Sequence, residues 1–176
     1  MRQLGKVILL ILLIVFVIYA CEKPKTYSNV PVVSFKSLEI KNGADTLGNE
    51  IKSIVLTTYI EDGDGNVGLY AIADTSREYD VLEEFNYFIE LYEKIDGEFV
   101  KVNFQEHQYF RIPYIEQQGQ KKLLKAEVEV SFEYTLKFFT YDTIKYEFHI
   151  YDRDLNKSNI AETPEIPTDS TGVITK

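Results

Sequence analysis

Two short acidic stretches hold the residue types best suited to gripping something. In Glu61-Asp62-Gly63-Asp64-Gly65-Asn66-Val67-Gly68, Asp62, Asp64 and Asn66 stand at alternate positions. That spacing turns three oxygen ligands toward one point, as calcium loops do. The stretch departs from an EF-hand, with Val67 where that loop has its glycine and Ala73 where it has its bidentate glutamate. A plain solvated turn uses the same residue types for its backbone geometry. A second stretch, Asp152-Arg153-Asp154-Leu155-Asn156, is also acidic, and Arg153 is placed to neutralise part of it.

Catalytic chemistry finds less. A nucleophilic triad needs a Ser or Cys, a His and an orienting acid. The only cysteine is Cys21, no Gly-x-Ser-x-Gly occurs, and the two histidines, His107 and His149, stand far apart. Zinc would want tetrahedral Cys/His sets. Paired carboxylates of the glycosidase kind cannot be singled out among 28 acidic residues. Gly63, Gly65 and Gly68 lie among aspartates that would repel phosphate. The expectation is a protein that is not an enzyme, has no catalytic residue, and has calcium as its one candidate cofactor.

The N-terminus gives an address. Arg2 and Lys6 precede an uncharged run from Val7 to Ala20, 14 residues long. A spanning helix needs about 20 such residues, so the run suits the h-region of a signal peptide. Ile18-Tyr19-Ala20-Cys21 resembles a bacterial lipobox, in which the cysteine is acylated and becomes the new N-terminus. A lone thiol in an exported chain is thereby explained. Each buried methylene adds about 0.8 kcal/mol of membrane affinity, so several acyl chains (palmitate among them) hold firmly. Residues 1–20 are read as the signal peptide, 21–29 as lipidated N-terminus and tether, 30–167 as the folded domain and 168–176 as a flexible tail.

Without Arg2 and Lys6 the formal charge of −9 becomes −11. Nucleic acid and anionic lipid head groups both need basic patches, so neither is an expected partner of the protein surface. The membrane is expected as a partner through lipid on Cys21, and another envelope protein through the domain surface. With no second cysteine, packing alone must stabilise the domain. The 13 Tyr and 11 Phe, with no Trp, favour strands.

The patterning agrees. Val33 and Phe35 share one face while Leu38 and Ile40 fall on the other, which predicts a bulge near Lys36–Ser37. Ile51 to Ile60 is apolar on both faces, as a central strand would be. Phe85 to Tyr92 and Phe99 to Phe104 alternate around Asp96-Gly97, a strong hairpin signal. Residues 76–85 carry the one hint of helix. Tyr109 to Ile115 contains Pro113 and so belongs at an edge. Ala126 to Glu133 and Ile144 to Tyr151 alternate apolar and polar, and Ser158 to Ile166 closes the domain. This describes an all-β fold, an antiparallel immunoglobulin-like sandwich of about seven strands behind a lipoprotein signal peptide. Asp142-x-Ile144-x-Tyr146-x-Phe148 resembles the strand F signature of immunoglobulin-like domains, with Tyr146 as a tyrosine corner bonded to upstream backbone.

The signal, the loop from Glu61 to Gly68 and the ending Tyr151-Asp152-Arg153-Asp154-Leu155-Asn156-Lys157-Ser158-Asn159 … Thr163-Pro164-Glu165-Ile166 together resemble a group of uncharacterised lipoproteins of Bacteroidota bacteria. The resemblance covers most of the mature chain. It implies an immunoglobulin-like sandwich and a lipid-anchored place at the outer membrane, on its periplasmic or surface side. It implies no activity.

Two function classes follow. One is a non-catalytic accessory or protein-interaction domain of the envelope. The other is a ligand-binding sandwich, for glycans on a platform of Phe88, Tyr92 and Tyr151, or for calcium. In the immunoglobulin topology the B–C and F–G loops emerge at one end. With strand B at 51–60 and strand F at 143–151, Asp62, Asp64, Asn66, Asp152, Asp154 and Asn156 become neighbours, a predicted hard-cation site.

Overall fold

The computed structural model describes residues 27–73, 76, 78–104, 108–116 and 122–176. The expected signal peptide at 1–20, Cys21, most of the expected tether at 21–29, and His107 lie outside the described residues.

The alternating stretches become the main strands, of which only the hairpin return β4 is short: β1 (Val32–Ala44), β2 (Glu50–Asp62), β3 (Tyr87–Ile95), β4 (Glu98–Lys101), β6 (Leu124–Thr135) and β7 (Thr143–Ile150). Between them are short pieces: α1 (Val81–Glu84), β5 (Tyr109–Phe110), β8 (Ala161–Glu162), β9 (Ile166–Pro167) and β10 (Gly172–Thr175). These form two antiparallel sheets. One runs β10-β1-β2-β6 and the other β4-β3-β7-β8, with β5 also on β3 and β9 also on β7. β2 is indeed interior, flanked by β1 and β6 over nearly its whole length.

The strand phases follow from burial. Val33, Phe35, Leu38 and Ile40 all face the core, because the register slips between Phe35 and Ser37 as the phase break predicted. Asp96 and Gly97 both have positive φ, 51° and 89°, so β3 and β4 are joined by the two-residue turn that matches strand twist. From β7, Ile144, Tyr146, Phe148 and Ile150 are buried, and they meet Val130 and Phe132 of β6 across the sandwich.

Three expectations are corrected. The described residues form ten strands rather than about seven, since β5, β8 and β9 are extra segments that pair over only two residues each. The tail is not free: Ile174 sits opposite Leu38 in a β1–β10 ladder, because β1 otherwise presents an open edge. Tyr146 is fully buried, but its hydroxyl shares a hydrogen bond with the Tyr134 hydroxyl at 3.1 Å instead of reaching backbone. Its ring stacks on Phe132 at 5.1 Å, so the aromatic column of β6 and β7 places it.

Candidate cation site at one pole

β2 ends at Asp62 where β6 begins at Leu124, and the start of β1 pairs beside it, Val32 with Glu61. β7 ends at the same pole. The loops after β2 and β7 touch directly. Arg153 N donates to Asn66 O at 3.3 Å, Arg153 Nη1 to Gly68 O at 2.8 Å, and Asn66 Nδ2 to Asp154 Oδ2 at 2.8 Å. The expected adjacency therefore exists.

Of the six expected ligands, three converge. Carboxylate oxygens of Asp62, Asp64 and Asp152 lie within 4.8 Å of one another. Two oxygens on one calcium ion can be no more than about 5 Å apart, twice a calcium–oxygen distance, so the spread fits. Asp62 is 0 % exposed and Asp152 1 %. Asp154 stands aside, exposed, holding the Asn66 amide. Asn156 supports rather than offers a ligand: its backbone N donates to Asp152 Oδ1 at 2.8 Å and its Nδ2 to Oδ2 at 2.9 Å.

Asp62 is the exceptional member. Its Oδ2 accepts from Asn66 N at 2.8 Å, while its Oδ1 is buried and has no hydrogen-bond partner among the described residues. Asn66 Oδ1 is buried in the same condition. A buried carboxylate oxygen left without a donor is costly, and native structures seldom keep one without a reason. Burial first, then the neighbouring Asp64, push the Asp62 carboxyl up to about 6; Asp152 adds a smaller push, and backbone donors from Asn66 and Val67 oppose it.

A recurrence that sequence inspection passed over makes the site legible. Asp-x-x-x-Asn occurs at Asp45–Asn49, Asp62–Asn66 and Asp152–Asn156. In each turn the fourth residue has a left-handed backbone: Gly48 at φ 83°, Gly65 at 65° and Leu155 at 63°. The Asn side chain caps its own aspartate at 45–49 and 152–156. At 62–66 it is diverted to Asp154 instead.

The surroundings contain two further unforeseen features. Arg153 lies over the rings of Tyr70 and Tyr114, 4.9 and 5.2 Å from their centroids, and those rings stack at 4.7 Å. Gly63 N donates to Ser28 O at 2.8 Å, and a Cβ on Gly63 would meet that oxygen at 2.5 Å. Ser28, inside the stretch 21–29 expected to be a tether, is thus seated on the acidic loop. A cavity of about 430 Å³ beside it is lined by Asp64, Asn66, Tyr114, Lys122, Arg153 and Asp154 among others.

Of the rings expected to form a sugar platform, Phe88 and Tyr151 pack on each other. Phe88 is buried, stacked on His149 at 5.3 Å and edge-on to Tyr109 and Tyr151. His149 is half-buried there, and burial lowers its pKa. Tyr92 lies under Lys145 and donates to Glu90. Lys145, expected on an open face, bridges Glu147 and Glu162 at 2.9 and 2.7 Å.

Compared with known proteins, the chain matches no family model, no curated protein and no solved structure.

Proposed function

We propose that this is an exported, lipid-anchored, non-catalytic binding protein of the outer membrane whose β-sandwich holds one calcium ion at the pole formed by the loops after β2 and β7. The signal peptide at 1–20 and lipid on Cys21 supply the address, as in the Bacteroidota lipoproteins the sequence resembles. An immunoglobulin-like type is supported by the strand order. Taking β1, β2 and β6 as A, B and E, and β4, β3 and β7 as C′, C and F, puts each strand beside its usual neighbour. The domain serves as an accessory or interaction module, with no catalytic residue.

One observation carries the ion: the buried, unpartnered Asp62 Oδ1 within reach of Asp64 and Asp152. A hard cation supplies what backbone donors do not, and calcium tolerates the irregular mix of ligands better than magnesium. Asp62, Asp64 and Asp152 would hold it, with Asn66 Oδ1 as a neutral candidate. The test is calorimetry and thermal unfolding of the full chain in detergent. Binding confined to the folded state should stabilise by about 2.7 kcal/mol at calcium a hundredfold above Kd. Asp62→Asn with Asp152→Asn should abolish both heat and shift. Absence of both in the wild type at millimolar calcium would refute the site.

A further inference from the structure

The ion-bearing pole is also where the chain comes in from its anchor. Tyr27 stands six residues after Cys21. Fully extended, that segment reaches about 20 Å. Ser28 is then fastened to Gly63 of the acidic loop, and Tyr27 lies under Lys125 at 5.0 Å. A domain held by lipid on Cys21 therefore keeps this pole within about 20 Å of the bilayer, nearer than the other.

The pole exposes the side chains suited to that position. Tyr70 is 61 % exposed and Leu155 60 %, with Tyr114 beside them. Tyrosine rings sit favourably at headgroup level, with arginine and lysine snorkelling next to them. Arg153 is stacked on both rings, and Arg111 donates to Tyr70 O. Leu155 is the telling residue. It occupies the left-handed position that glycine takes in both sister turns, and it points its apolar side chain outward from there. Local folding favours glycine at that position, so the leucine needs another explanation.

We propose that this pole is a calcium-dependent contact surface for anionic phospholipid. Tyr70, Tyr114 and Leu155 enter the headgroup layer, Arg153 faces lipid phosphate, and calcium removes the repulsion between the acidic loops and that phosphate. The inference rests on the lipid at Cys21 and the ion site proposed above. Three converging carboxylates would be repelled by an anionic surface; a divalent ion among them neutralises two of the three charges.

The chain has no tryptophan, so one substitution gives one reporter. Full-length lipidated Tyr114→Trp, Leu155→Trp and Leu47→Trp are reconstituted into phosphatidylethanolamine and phosphatidylglycerol vesicles whose acyl chains carry bromine. Leu47 lies at the far end of β2, on the order of 40 Å away along a 13-residue strand. With calcium, emission at positions 114 and 155 should fall about twofold against unbrominated vesicles, and a chelator should restore it. Emission at position 47 should not change. Leu155→Gly in the Tyr114→Trp background should weaken the quenching while leaving the melting temperature unchanged or raised, which a structural role for the leucine would not do. Quenching at 114 and 155 no greater than at 47 overturns the contact surface. Calorimetry on the same vesicles separates the two ideas. Calcium heat without quenching overturns the surface and leaves the ion standing; quenching that neither needs nor accompanies bound calcium overturns the calcium dependence proposed here.

Discussion

The turns at Asp45–Asn49 and Asp62–Asn66 share a spacing and a left-handed glycine, yet their aspartates behave in opposite ways. Asp45 accepts from Leu47 N, Asn49 N and Asn49 Nδ2, is open to water, and has its pKa lowered chiefly by Asn49. Asp62 accepts from Asn66 N, loses the amide to Asp154, is buried, and has its pKa raised. The same local grammar yields an inert turn where the asparagine closes it. It yields a grasping one where a second loop takes the asparagine away. The difference belongs to tertiary packing, not to the motif.

The largest effect tests whether both turns hang from one rigid core. Phe148 is fully buried and edge-on to Tyr87. Phe148→Ala should cost about 3–5 kcal/mol in denaturant unfolding. Lys145→Ala, on the outer face with its two ion pairs, should cost under about 1 kcal/mol. Equal costs would mean the strand faces are assigned wrongly.

The next sharpens the contrast between a turn bound to its surroundings and one that is not. Gly63→Ala drives a Cβ into Ser28 O and should cost about 1–3 kcal/mol, because backbone must move. Gly48 has nothing within 4 Å of its added Cβ, and only its positive φ penalises alanine, by about 1 kcal/mol. A smaller loss at Gly63 than at Gly48 in paired melting curves would dissolve the distinction.

The smallest effect is in pH. Asp62 titrates near 6 folded, above its unfolded value of about 4, so its folded form favours the proton. With calcium chelated, its contribution is fully present below about pH 4 and is lost as pH rises through 6. Asp45 has the opposite sign, its contribution present above the unfolded pKa and lost as pH falls. Melting temperatures between pH 4 and 6 should therefore flatten in Asp62→Asn and keep their slope in Asp45→Asn. The reverse pattern would assign the perturbed carboxyl to the wrong turn.

Much of this is legible in the sequence. The phase slip at Lys36–Ser37, the Asp96-Gly97 hairpin and the two-sided apolarity of β2 are local or periodic signals, and each appears where expected. The meeting of the two acidic loops followed from topology alone. What escaped depends on neighbours distant in sequence. Whether Asn66 caps Asp62 is decided by Asp154, 88 residues away. Phe88 reads as exposed by alternation, yet three rings cover it. Gly172–Thr175 is too short to show a period, and only the open edge of β1 makes it a strand.

That last pairing has a kinetic side. β1 and β10 are the first and last strands among the described residues, joined in register from Ser37↔Thr175 to Ile40↔Gly172. A chain emerging from its N-terminus holds β1 long before it holds β10. Until residues 172–175 follow, the β1 edge of the first sheet stays open. Contacts this far apart in sequence slow closure, because the loop must be ordered before the ladder rewards it. The seam is thus the last to be sewn. During that interval β1 offers an open edge to another copy's β1, a place where misassembly could begin.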